Sequence, residues 1–181
     1  MAISEFNLAQ HQRAERKLLI TVAEWEDANG SIEIDGKKYN RELLGRRTED
    51  SSIEYNPDIE TSTDILGINY TDVNKTQPQQ DFDPYLILGG SKLGAKLNDI
   101  RKRNAISELS QFNLYVITAY VGDSTNGYEA ERHVNCTILY NSLGGDSNVN
   151  MPISAYFSND SVTGTVDKTS DDFTFTPDVN I

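Results

Sequence analysis

The chain is poor in the residues that do chemistry. In 181 residues it has one cysteine, Cys136, and two histidines, His11 and His133. A single cysteine excludes an internal disulfide and fits folding in a reducing compartment. His133 and Cys136 lie three apart in a segment that reads as strand, so alternation is expected to send them to opposite faces. With His11 as the only other imidazole, no zinc set is expected. Cations are scarce as well: 16 Lys and Arg stand against 28 Asp and Glu, a net charge of −12. A surface so acidic does not grip phosphates or dock on an anionic membrane. Long apolar runs are missing: "LLI" at 18–20, "YLIL" at 85–88 and "LYVI" at 114–117 are all far too short to span a bilayer. The opening "MAISEFNLAQHQRAERK" has no apolar stretch of the secretory kind. The expected product is soluble and made inside a cell, with no membrane partner.

Chemical motifs fail for specific reasons. "GGSKLGAK" (89–96) resembles a phosphate loop, but Ala95 and Lys96 follow Gly94 where Gly-Lys-Ser/Thr is required. Asp81-x-Asp83 is too short a pattern to imply a metal, and no base pairs with any of the many hydroxyls. We therefore expect no enzyme activity, no cofactor, no metal and no catalytic residue.

What the sequence does contain is strand. "LLITVAEW" (18–25) is β-branched and aromatic, and "SIEIDGKKY" (31–39) is a hairpin turning at Asp35-Gly36. Residues 48–73 read as a longer hairpin turning at Asn56-Pro57-Asp58. Its packed wall would hold Ile53, Tyr55, Leu66, Ile68 and Tyr70, and its polar wall would face water. Residues 74–84 read as a Gln/Pro linker. One helix is expected over 91–104, with Ser91 as cap, Leu93, Leu97 and Ile100 on one face, and a basic last turn. "FNLYVITAYV" (112–121) is apolar on both faces, as a doubly covered strand would be, and 133–140, 149–157 and 173–175 alternate. The fold class is mainly β: an antiparallel sandwich or barrel with one flanking helix. Residues 1–17 form an N-terminal arm, 18–176 the domain and 177–181 a tail.

Charge is segregated along the chain. Residues 48–91 carry nine acids and one base, Lys75; residues 92–103 carry five bases and one acid, Asp99; from 104 onward there are ten acids and two bases. Acid lies on strands and base on one short segment, which lays out a field in space.

The succession "TSTDILGINYTDV", "PQQDFDPY", "GGSKLGAKLNDIRKRNAISELSQF" and "LYVITAYVG" resembles the major tail, or tail tube, protein of long-tailed phages of Gram-positive bacteria. The resemblance runs over residues 17–176 and rests on the order of ribbon, Pro-containing linker, helix and strands. It implies a virion protein, assembled in the host cytoplasm, that forms homohexameric rings. The long hairpin then contributes to a shared β-barrel, and the rings stack into a tube. The lumen carries the tape-measure protein and passes DNA without holding it, and terminator and distal tail proteins close the ends. Lumen-facing positions would be Asp50, Ser52, Glu54, Thr61, Thr63, Asn69 and Thr71. Contacts between subunits or rings would fall at Asn56, Pro57, Asp58, Gln77, Asp81, Arg101, Lys102 and Arg103, and on the arm. The alternative readings are the inner tube of a contractile tail or injection particle, and a monomeric carbohydrate-binding sandwich, which would want clustered exposed aromatics. In a lone subunit the ribbon is expected to be poorly ordered, its edges being open.

Overall fold

The computed structural model describes residues 5–178. The first and last few residues of the expected arm and tail, 1–4 and 179–181, lie outside the described residues. Twelve strands and one α-helix follow in chain order: β1 Leu19–Glu26, β2 Ile32–Ile34, β3 Lys37–Leu43, β4 Ile53–Glu54, β5 Asp58–Thr63, β6 Asn69–Lys75, β7 Gln79–Phe82, α1 Lys92–Arg103, β8 Phe112–Asp123, β9 Gly127–Tyr140, β10 Ile153–Tyr156, β11 Ser161–Val166 and β12 Phe175–Pro177. Every pairing is antiparallel. The architecture is mainly antiparallel β with a single α-helix among the described residues.

Strand order is β2-β3-β1-β8-β9-β10-β7-β4, with β11 and β12 attached beside β9. β9 belongs to both walls of the body. Its first half pairs with β8 and β11, its second half with β10. The two walls close on a core of Ala23, Trp25, Phe112 and Leu114 from one side and Phe82, Ile138, Ile153 and Ala155 from the other. Helix α1 adds Leu93, Leu97 and Ile100, each fully buried. A buried leucine contributes roughly 1.5–3 kcal/mol, so this stripe fixes the helix on the body.

Odd and even positions of β1 and β8 point to different cores. Ala23, Trp25, Phe112 and Leu114 enter the first, whereas Val22, Tyr115 and Ile117 enter a second with Ala130, Val166 and Phe173. Apolarity on both faces of 112–121 has this cause. The strap over the second core, 167–177, is held by charge. Glu24 and Arg41 pair at 2.7 Å with both side chains out of water. Arg41 also donates to the Phe173 carbonyl at 2.6 Å and stacks over the Phe173 ring. Asn113 and Tyr115 donate to the same Glu24 carboxylate. Burial, with that carboxylate beside it, pushes the Tyr115 phenol up to about 12.

Local signals explain the turns and caps. Asp35 and Gly36 both take positive φ, 50° and 77°, which a type I′ turn requires. Ser91 accepts from the Gly94 amide, and Asn104 ends α1 in the left-handed region. Glu42, invisible to sequence reasoning, completes the cap: its carboxylate accepts from the Leu93 amide at 2.9 Å and from the Ser91 hydroxyl at 2.8 Å. The helix N-terminus, where a phosphate would sit, is thus filled by the chain's own anion.

Two expectations need correction. His133 and Cys136 do not diverge. β9 carries a bulge between its pairs with Leu114 and Phe112, and Asn135 turns to a φ of 55°. The extra residue restores the parity, so both side chains meet Ser158. The second correction concerns the long ribbon.

Candidate assembly surface

The reversal of the long hairpin lies at Asp64–Ile68, not at Asn56-Pro57-Asp58. Asp64 accepts from the Leu66 and Ile68 amides at 2.8 and 3.0 Å, and Gly67 supplies a φ of 78°. Asn56 (φ 44°) and Pro57 only kink a limb that continues onward. The pairs Ile53–Gln80, Glu54–Gln79 and Asp58–Lys75 keep one register, which slips once at a bulge before Ile59–Val73. Residues 53–82 therefore form one bent hairpin. Its root, β4 with β7, lies in the body, and β5 with β6 stand beyond it as a separate two-stranded sheet. The expected linker 74–84 is accordingly the return limb: Gln80 and Phe82 are buried, and Gln80 accepts from Thr21 at 2.7 Å. Proline at 57 and 78 hides this continuity, because neither can donate to a ladder.

Most of the expected packed wall is not packed, and of its five members only Ile53, at the root, rests against the core. Ile65 is fully exposed, and Leu66, Ile59, Val73, Ile68 and Tyr70 are 77, 56, 60, 58 and 47 % exposed. Tyr55 at the root is 60 % exposed. β5 and β6 bond only to each other, so both outer edges carry unpaired main-chain groups. A two-stranded ribbon with no face covered is marginal in water.

Thr61, Thr63, Asn69 and Thr71 do share one face. Thr61 stands opposite Thr71, and Thr63 donates to Asn69 at 2.7 Å. Glu60 and Asp72 oppose each other on the other face, beside the Ser62–Tyr70 pair. Asp50, Ser52 and Glu54 are also exposed but stand at the root on the body, apart from the threonine face.

The remaining candidates divide. Asn56 donates to the Gln77 carbonyl at 3.2 Å and Gln77 donates to the Tyr55 carbonyl at 2.8 Å, so both tie the ribbon at its kink. Pro57 and Asp58 are exposed there. Asp81 is exposed on β7 and accepts from Gln79. Arg103, expected to meet a neighbour's acids, pairs within the subunit with Asp99 at 2.7 Å and Glu108 at 2.9 Å. Hydrogen bonds from Arg103 and then Lys96 hold the Glu108 carboxyl down to about 2. Arg101 donates to Asn98 within its own helix, and Lys102 is exposed with no carboxylate partner among the described residues. In the arm, Asn7 donates to the Tyr120 carbonyl at 2.9 Å and Phe6 bridges to Val121, so this stretch lies along the far end of β8.

Among the described residues no three His, Cys, Asp or Glu side chains gather as a metal site, and no helix is long and apolar enough to cross a membrane.

No family model and no curated protein matches the sequence. Among solved structures, one similar chain comes from the sheath–tube complex of an extracellular contractile injection system, PVC, in the extended state. It has 11 % identity over 86 % of this chain and 94 % of that one, with a TM-score of 0.45. Another is from the tube-terminating cap of the anti-feeding prophage, with 12 % identity over 91 % and 99 % of the two chains and a TM-score of 0.47.

Proposed function

We propose that this chain is a structural subunit whose copies complete one another's β-structure, forming stacked hexameric rings that make the tube of a long-tailed phage tail. The observation that carries the reading is the β5–β6 ribbon, which extends apolar side chains and two open strand edges into solvent. A folded body with two cores of its own has no need of such an element; a ring closed by neighbouring strands does, because closure removes edges. Sixfold symmetry and stacking come from the sequence resemblance.

Within the tube, the threonine face of the ribbon together with Asp50, Ser52 and Glu54 lines the lumen. Asp50 and Glu54 at the root repel phosphate and the threonine face adds uncharged hydroxyls, so DNA slides past instead of binding. The tape-measure protein occupies that lumen during assembly, and terminator and distal tail proteins cap the ends. In this reading Asn56, Pro57, Asp58, Gln77, Asp81, Lys102 and the arm make contacts between subunits or rings.

The test is electron microscopy and sedimentation of the full chain beside a variant in which residues 60–72 are replaced by a two-residue Asn-Gly turn. The wild type should form annuli or tubes, and the variant should remain a folded monomer. A wild type that stays monomeric at high concentration overturns the reading.

A further inference from the structure

Two surfaces of this chain carry charge that the chain does not itself neutralise. The first is a groove of about 520 Å³ between β1, the β3–β4 connection and β7. Leu19, Leu43, Leu44 and Phe82 line it, and its charged groups are Arg16, Lys17 and Arg46 against one acid, Glu49. Lys17 is paired with Glu15 at 2.7 Å. Arg16 donates only to the main-chain carbonyls of Leu19 and Ser51, and Arg46 meets no carboxylate among the described residues. Uncompensated guanidinium groups are conspicuous on a chain with 28 acids.

The second surface is the ribbon face on which Glu60 and Asp72 stand directly opposite each other, both exposed. Like charges in that position weaken a strand pair. Tyr70 lies on the same face, and the apolar tip Ile65-Leu66 lies at the end of the ribbon. One surface is thus acidic with an apolar end, and the other is basic with an apolar floor. A guanidinium suits a carboxylate pair well, since its planar fork donates to two oxygens at once.

We propose that the groove receives the ribbon of a neighbouring copy. Arg16 and Arg46 meet Glu60 and Asp72 of that copy, and its tip residues Ile65 and Leu66 rest against Leu43 and Leu44. A strand of six residues reaches roughly 20 Å, enough to leave one body and lie on the next. The docking turns the threonine face away from the groove. The pairing rests on the ring reading above and names the surface through which adjacent subunits grip.

A charge swap tests it on the full chain. Arg46→Glu alone and Asp72→Arg alone should each raise the concentration needed for assembly about tenfold or more, read by sedimentation and negative-stain imaging. Arg46→Glu/Asp72→Arg together should restore assembly toward the wild-type level. Circular dichroism on each variant should give the wild-type spectrum, because neither side chain has a charged partner within the subunit. An independent arm places cysteines at Arg46 and Asp72 in separate preparations, mixes them, and applies a short bis-maleimide linker. Cross-linked dimers are expected only under assembling conditions. Single reversals that assemble like the wild type, a double variant with no recovery, or no cross-link in assembled material would each overturn the groove pairing and leave the ring reading standing. A wild type that never assembles overturns the ring reading itself.

Discussion

The body and the ribbon of this molecule obey opposite rules. In the body, even charge is buried with partners: Glu24 meets Arg41, Asn113 and Tyr115, and Arg132 approaches within 3.6 Å. In the ribbon, even isoleucine is left in water: Ile65 is fully exposed and Ile59 more than half exposed. The contrast separates what stabilises the subunit from what, in the proposed assembly, joins subunits. Substitutions in the two regions should therefore fail in different experiments.

The largest effect is expected at the buried ion pair. Glu24→Ala leaves Arg41 charged and without its carboxylate under the 167–177 strap, at a cost of about 3–5 kcal/mol. Chemical denaturation should show it, and a loss under 1 kcal/mol would mean that the strap does not seal the pair. Leu97→Ala, at the centre of the helix stripe, should cost about 2–5 kcal/mol by the same measurement. Ser91→Ala removes a helix cap and should cost about 1 kcal/mol; Glu42, still bound to the Leu93 amide, keeps the helix start in place.

A narrower effect depends on pH. The Glu108 carboxyl is held at about 2, below its ordinary 4.5, by hydrogen bonds from Arg103 and Lys96. A depressed carboxyl stabilises the fold fully above pH 4.5 and loses that contribution as pH falls toward 2. Glu108→Gln should therefore be less stable than the wild type at neutral pH, with the gap closing between pH 4.5 and 2. A constant gap across that window would contradict the assignment. The smallest effect on subunit stability is expected in the ribbon. Ile65→Ser and Leu66→Ser should change subunit denaturation by no more than about 0.5 kcal/mol, while abolishing annuli in the microscope.

What the sequence made legible follows the same division. The Asp35-Gly36 turn, the Ser91 cap and the doubly apolar strand 112–121 are local signals, and tertiary packing did not override them. The ribbon was read with the wrong reversal because Asn56-Pro57-Asp58 has the composition of a turn, whereas the chain turns where Asp64 can catch two amides. The return limb was obscured by glutamines and Pro78, although Gln80 is buried through its bond to Thr21. The Asn135 bulge has no sequence mark beyond an asparagine tolerant of positive φ. The Glu24–Arg41 pair went unseen because a glutamate in a strand reads as solvent-facing. Its position between Ala23 and Trp25, at the register of Arg41 on β3, is what buries it. The exposed apolar residues of the ribbon are the least legible, since an exposed isoleucine looks in sequence like a core residue.

The central claim is that residues 58–75 are completed only by neighbouring copies. Hydrogen exchange read by mass spectrometry over that segment, in dissociated subunits and in assembled material, tests it most directly. The account predicts fast exchange across β5 and β6 in the subunit and strong protection after assembly, with the amides of β1 and β8 slow in both. Equal protection of the ribbon in the two states would contradict it.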